Sequence, residues 1–220
     1  PVGVTTLEYT VTDAAGNDTV CSFTVTVTDV QDPAIVCPSN IAVDNDADIC
    51  GAVVTYTAPV GTDNCTTGVT TTQTDTTGFS SGSTFPVGVT TLEYTVTDAA
   101  GNDRVCNFTV TVTDNINPTI ACPSNLTPDV DAGLCAATVA AASLQPTYSD
   151  NCPVDATNVS WELTGATTGT GSGELPETVF NLGATTVTYT ITDGASLTDT
   201  CSFTVTVTDN INPTIACPSN

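Results

Sequence analysis

The chain has almost no positive charge. Its 220 residues include a single basic side chain, Arg104, against 24 Asp and Glu, which gives a formal net charge of −23. Nucleic acids bind proteins through Lys and Arg, so nucleic acid is excluded as a partner. The chain also lacks His, which excludes imidazole acid–base catalysis and His-ligated zinc. Such a polyanion instead favours hard cations, and calcium is the abundant one outside cells.

Long apolar runs are missing as well. No stretch approaches the roughly 18 apolar residues that a membrane-spanning helix needs, so we expect no membrane-spanning segment. Paired carboxylates serve some glycosidases, but Asp residues in turns do not indicate a cleft, and a nucleophile would lack a His or Lys partner. The sequence therefore predicts a protein that is not an enzyme and requires no cofactor.

The sequence repeats itself. The string PVGVTTLEYTVTDAAGND begins at Pro1 and again at Pro86, and TVTDNINPTIACPSN begins at Thr111 and again at Thr206. Offsets of 85 and 95 residues indicate small domains in tandem, and because the chain begins and stops within a repeat we expect a longer array. The predicted units are a partial repeat at 1–29, full repeats at 30–114 and 115–209, and the start of another repeat at 210–220.

Strand patterns dominate each unit. In the first full repeat, Leu92, Tyr94 and Val96 alternate with polar residues, and the run from Cys106 to Val112 alternates in the same way. This period of two, rich in β-branched residues, is typical of half-buried antiparallel strands. About seven short strands per unit predict an all-β fold of tandem immunoglobulin-like sandwiches arranged end to end as a rod or filament.

Several strings then recur in a fixed order: CP, CGAVV, DNC, FPVGVTTLEYTVTDAAGN and CNFTVTVTD. In this order they resemble the hyalin repeat (HYR) module, over both full repeats and part of each end. The second full repeat departs from the pattern, with Phe180-Asn-Leu-Gly183 in place of FPVG and Ser196-Leu197 in place of Gly101-Asn102. The resemblance implies an immunoglobulin-like fold in tandem arrays of secreted or cell-surface proteins associated with adhesion, most similar to bacterial surface adhesins.

This resemblance leads to a functional hypothesis. We expect a structural and adhesive repeat region of an extracellular surface protein or filament, acting as a disulfide-stapled shaft whose partners are neighbouring repeats or copies. The alternative is a non-catalytic spacer in a secreted multidomain hydrolase, because function resides in sites grafted onto folds.

No two of the ten cysteines are closer than 13 positions, unlike the short knuckles of zinc sites. Widely spaced cysteines in small β modules are typical of disulfides and of an oxidising compartment. Four cysteines in each full repeat permit three pairings. The resemblance implies the pairs Cys37–Cys106 and Cys122–Cys201. With these assigned, the remaining pairs within the repeats are Cys50–Cys65 and Cys135–Cys152, and Cys21 and Cys217 are expected to pair outside the chain.

Asp and Asn residues are concentrated where one repeat meets the next and in two loops of each repeat. Carboxylate and amide oxygens there would supply the six to eight ligands that calcium prefers. Asp and Asn are equally ordinary residues of turns and linkers, and the sequence leaves both interpretations open. The candidate ligands are Asp29, Asp32, Asp63, Asn64, Asp98, Asn102, Asp114, Asn115, Asn117, Asp150, Asn151 and Asp193.

Rows of Thr lie on the outward faces of the strands. They raise strand propensity, which is sufficient to explain them. Two of these residues, Thr19 and Thr76, lie in an Asp-Thr context that resembles a bacterial O-glycosylation signal, so both are candidate glycosylation sites.

Overall fold

The computed structural model describes residues 1–65 and 67–217, so the last three residues of the predicted stub at 210–220 lie outside the described part. Strands make up nearly all of its regular structure, together with two short 3-10 turns at Ala141–Ser143 and Ala156–Asn158. Within the described residues no helix is long and apolar enough to cross a membrane. The chain is therefore all-β, with immunoglobulin-like sandwich domains in tandem.

Eight strands lie between the N-terminus and the end of the first full repeat. They are β1 (Gly3–Thr12), β2 (Asp18–Val27), β3 (Ile41–Asp44), β4 (Gly51–Val53), β5 (Thr70–Gln73), β6 (Thr84–Pro86), β7 (Gly88–Thr97) and β8 (Asp103–Thr113). Strands β1 and β2 form a hairpin, β3-β8-β7-β5 form a four-stranded sheet, and β4 pairs with β6.

Eight more strands follow in the second full repeat. They are β9 (Thr119–Ala121), β10 (Ala136–Val139), β11 (Thr147–Ser149), β12 (Val159–Gly165), β13 (Gly169–Ser172), β14 (Thr178–Asn181), β15 (Gly183–Thr192) and β16 (Thr198–Val207). One layer is the sheet β13-β12-β15-β16, and β9 with β11 and β10 with β14 form two smaller sheets. Strand β13 comes from the Gly- and Thr-rich insertion that lengthens this repeat, and it forms a hairpin with β12.

Contacts between residues divide the described chain into two compact units. The first comprises residues 1–42, 54–85 and 89–111, and the second comprises residues 43–53, 86–88 and 112–217. The core of the first unit contains Leu92, Val96 and Phe108, which are at most 2% exposed, together with Phe85. The rings of Tyr56 and Phe108 meet edge to face with centroids 5.1 Å apart. The inward positions of β7 and β8 thus form this core, as their alternation predicts.

The core of the second unit is larger. It gathers residues from most strands of the repeat around the fully buried Phe180, Val187 and Tyr189. The Tyr189 hydroxyl donates to the carbonyl oxygen of Leu144 over 3.0 Å and accepts from the Leu175 N–H over 3.3 Å. Its polar atom is therefore satisfied inside an otherwise apolar core, as burial requires.

The hairpin β1–β2 differs from its counterpart β7–β8 in burial. Leu7, Tyr9 and Phe23 are 39%, 59% and 49% exposed, although the equivalent residues of the first full repeat are buried. The same sequence pattern therefore presents an uncovered apolar face in the hairpin. Among the described residues, no strand outside the hairpin pairs with β1 or β2.

Candidate functional site

Two disulfides close the ends of the full repeats. Cys37 is bonded to Cys106 and Cys122 to Cys201, with Cα–Cα distances of 5.7 and 5.6 Å. These are the pairs that the resemblance implies. Each bond joins the segment that enters a repeat to that repeat's last strand, β8 or β16.

The inner pairs are different from those expected. Cys50 is bonded to Cys152, with a Cα–Cα distance of 4.5 Å and 102 residues between them in sequence. Cys65 and Cys135 carry free thiols in the structure. The predicted pairs Cys50–Cys65 and Cys135–Cys152 are therefore wrong, and the inner bond connects residues of two successive predicted repeats.

Strand geometry explains this correction. Cys65 lies beside Asp29, whose carbonyl oxygen is 3.5 Å from the Asn102 amide in the turn before β8. Cys50 follows Ile49, whose carbonyl accepts from Asn45, and the Asn45 N–H in turn donates to Thr113 O at the end of β8. A strand of 11 residues spans roughly 35 Å, far more than one disulfide can bridge.

The first unit contains one group of the predicted ligands. Ligand atoms of Asp29, Asp63 and Cys65 lie within 4.8 Å of one another. The amide of Asn102 donates to Asp98 Oδ2 over 2.8 Å and also approaches the carbonyl oxygens of Asp29 and Gln31, at 3.5 and 3.4 Å. This amide lowers the pKa of Asp98. A donor of the protein itself therefore meets Asp98 Oδ2, whereas Asp63 Oδ1 is buried without a hydrogen-bond partner among the described residues.

The thiol of Cys65 lies in the same acidic surroundings. A hydrogen bond to Asp29 raises the pKa of Cys65, and burial and the charges of Asp29, Asp63 and Asp98 raise it further. The thiolate is the reactive form of cysteine, so this thiol is held in its less reactive state.

The second unit contains the equivalent group. Asp114 Oδ1 accepts from the Ile116 N–H over 3.2 Å, and ligand atoms of Asp114, Asp150 and Cys152 lie within 4.8 Å of one another. Cys152 is bonded to Cys50, so carboxylates are the groups available there for a cation. Burial raises the pKa of Asp150, and the charges of Asp114 and Asp193 raise it further.

The remaining candidates take local roles. Asn64 donates to Gln31 Oε1 over 3.1 Å, and Asn151 donates to Ile49 O over 3.3 Å beside the Cys50–Cys152 bond. The Asn115 N–H donates to Asn45 Oδ1, and the Asn117 amide approaches Thr198 O at 3.4 Å. No contact between the Asp32 side chain and either acidic group is found among the described residues.

The two candidate glycosylation sites lie on the surface. Thr19, on β2, and Thr76, in the loop after β5, are both exposed. A sugar at either position stays a prediction.

Comparison with known proteins identifies the family. The HYR domain matches three consecutive segments, residues 1–27, 28–112 and 113–207. The chain belongs to the HYR domain family. Proteins of this family are extracellular or on the cell surface, and this chain is therefore an extracellular repeat protein.

Hyalins are among the relatives of this HYR chain. It is 33% identical over 231 residues to a hyalin of Strongylocentrotus purpuratus, covering 100% of this chain and 18% of that protein. It is 31% identical over 226 residues to a hyalin of Lytechinus variegatus, covering 99% of this chain and 39% of that protein. The chain thus spans well under half of either relative.

Solved structures with similar strand arrangements include cadherin repeats. Protocadherin Gamma B7 extracellular cadherin domains 1–4 match 93% of this chain and 57% of that chain, with a TM-score of 0.41 and 16% identity. Mouse Cadherin-23 EC22-24 matches 94% of this chain and 74% of that chain, with a TM-score of 0.38 and 16% identity.

Sequence reasoning missed the partner of Cys50 because, once the outer pairs were assigned, it paired the remaining cysteines within each repeat. The strings CGAVV and DNC each supply one cysteine per repeat, so a pairing displaced by one repeat was an equally regular solution. In a tandem array, cysteines at opposite ends of a domain indicate a bond to the next domain.

Proposed function

We propose that the chain is a length of disulfide-stapled shaft in an extracellular adhesive protein, built from the repeats 30–114 and 115–209 with partial repeats at 1–29 and 210–220. The Cys50–Cys152 bond carries this proposal, because it connects successive repeats covalently. The Cys37–Cys106 and Cys122–Cys201 bonds, with which it is interleaved, would limit how far a pulling force lengthens the chain.

The free cysteines support further disulfides of the same kind, each connecting one repeat to the next. Cys135 follows a turn like the one before Cys50: the Asp131 N–H donates to Ala136 O over 2.8 Å, as the Asp46 N–H donates to Gly51 O over 2.8 Å. Cys135 is therefore an unbonded copy of Cys50.

Cys65 in turn has the same backbone hydrogen bond as Cys152. The Cys65 N–H donates to Asp63 Oδ2 over 2.8 Å, and the Cys152 N–H donates to Asp150 Oδ2 over 3.3 Å. The partners proposed for Cys65 and Cys135 are thiols of neighbouring HYR repeats, in the same polypeptide or in another copy.

Single-molecule stretching tests the shaft. The two outer bonds close 69 and 79 residues, and an extended residue spans at most about 3.6 Å. Full extension of the reduced chain is therefore expected to exceed that of the oxidised chain by roughly 500 Å. A Cys65→Ser/Cys135→Ser variant retains all three bonds and is expected to stretch like the unmodified chain. Equal extension of the oxidised and reduced chains would contradict the proposal.

The spacer alternative shares this architecture and differs in what adjoins it. It stays a prediction that the full gene sequence tests, because a catalytic domain beside the repeats would favour it.

A further inference from the structure

One turn occurs three times in the chain, after β1, β7 and β15. In each copy an Asp, namely Asp13, Asp98 or Asp193, accepts two backbone N–H groups with its Oδ1 atom, over 2.7 to 2.9 Å. The turns differ in what meets the second oxygen. Asn17 and Asn102 each donate a side-chain amide to Oδ2 of their Asp over 2.8 Å.

The third turn has no such amide. Leu197 stands where the other turns have Asn17 and Asn102. Asp193 is 6% exposed, and its Oδ2 atom is buried without a hydrogen-bond partner among the described residues. Burying an unpaired carboxylate oxygen is costly, because the charge loses water without gaining another partner.

The surroundings of Asp193 add further oxygens of the same kind. Asp150 Oδ1 and Asn151 Oδ1 are also buried and unpartnered in the described part of the chain, and Asp114 is 7% exposed. Ligand atoms of Asp114 and Asp150 lie within 4.8 Å of each other, and the charge of Asp193 also acts on Asp150. Arg104 is the chain's one Lys or Arg, and the donors at Asp114 and Asp150 are neutral: the Asn151 amide lies 3.5 Å from Asp114 Oδ1, and the Cys152 N–H donates to Asp150 Oδ2 over 3.3 Å.

The first unit shows what the missing donor does. There the Asn102 amide faces Asp98 Oδ2 and the carbonyl oxygens of Asp29 and Gln31 together. The residues equivalent to Asp29 and Gln31 in the second repeat are Asp114 and Ile116. Leu197 stands in the second repeat where the first has Asn102. It has no side-chain N–H group to offer to the equivalent oxygen atoms.

We propose that a divalent cation with calcium-like preferences binds in the second repeat, held by Asp114, Asp150, Asn151 and Asp193 in place of that amide. Calcium takes six to eight oxygens from carboxylates, amide and backbone carbonyls and water, which is the donor set present. A pocket of about 260 Å³ lies beside two of these residues and is lined in part by Asp150, Asn151 and Asn117. In the first repeat the Asn102 amide takes the cation's place.

Calorimetric titration of the whole chain with CaCl2 tests this site. We expect a dissociation constant of about 10⁻⁴ to 10⁻³ M, as in other extracellular modules. The Leu197→Asn variant supplies the missing amide and is expected to bind at least tenfold more weakly. Asp193→Asn removes one ligand charge and is expected to weaken binding as well. The matched control is Asp13→Asn, which makes the same Asp-to-Asn substitution in the turn between β1 and β2. It is expected to leave the affinity for calcium unchanged.

Thermal unfolding with and without a chelator separates loss of the site from loss of the fold. In the chelator, Leu197→Asn is expected to melt at a higher temperature than the unmodified chain, because Asp193 Oδ2 gains a donor. Calcium is expected to raise the melting temperature of the unmodified chain and not that of this variant. Absence of binding heat up to about 10 mM CaCl2, or equal affinity in the unmodified chain and Leu197→Asn, would overturn the proposal.

Discussion

Replacing Cys50 and Cys152 together by Ser is expected to lower the free energy of unfolding by about 4 to 5 kcal/mol. The bond joins residues separated by 102 positions, and the chain-entropy model gives values of this size for loops of such length. Without the bond, the unfolded chain gains freedom while both outer disulfides persist. Denaturation by guanidinium under oxidising conditions, followed by Trp161 fluorescence and circular dichroism, measures the change.

The control variant also replaces two cysteines by Ser. Cys65 and Cys135 are free, so Cys65→Ser/Cys135→Ser is expected to change the free energy of unfolding by less than about 0.5 kcal/mol. If bonds instead formed within each repeat, this control would lose two disulfides and be strongly destabilised. A large effect of the control would therefore contradict the bond between repeats.

Phe180→Ala is expected to destabilise the second repeat by about 3 to 5 kcal/mol. Phe180 is 0% exposed and lies on β14 opposite Ala137 of β10, within the apolar core. Removing its ring leaves a cavity that rigid strands on both sides fill poorly. The loss is measured by chemical denaturation, with an unchanged denaturant slope as the sign that the folded state is otherwise intact.

The adjacent residue on the same strand provides the matched control. Val179 is 53% exposed, and Val179→Ala is expected to change the free energy of unfolding by less than about 0.5 kcal/mol. Similar losses for the two variants would show that β14 does not face the core as described.

The sequence predicted the strands well because their burial follows alternation. Leu92 and Val96 are fully buried, as the period of two requires. The limit of this reasoning is clear at Leu7 and Val11, which occur in the same string but are exposed. Alternation predicts which face of a strand is apolar, and burial depends on the strands that cover this face.

Trp161 illustrates another limit. It lies on β12 and is half-buried against β13. Gly169 and Gly171 of the inserted segment lie against the indole, where a larger residue at 171 would collide with the ring. An insertion outside the repeat pattern thus provides a surface that the pattern itself does not predict.

The acidic groups were predictable as residue types but not as a functional difference between repeats. Asp98 and Asp193 form the same turn, and one neighbouring residue, Asn102 or Leu197, decides whether Oδ2 is satisfied. Leu197 in place of Asn102 is visible in the sequence as a departure from the family pattern. Its consequence lies in the hydrogen bonds, which differ between the two turns.

Disulfide mapping of the oxidised chain tests most directly whether successive repeats are covalently joined. Arg104 offers the one trypsin site, so digestion with pepsin at low pH suits this chain and also suppresses thiol exchange. Mass spectrometry is predicted to find peptides around Cys50 and Cys152 linked to each other, and to release them on reduction. Peptides linking Cys50 to Cys65 and Cys135 to Cys152 would contradict the account.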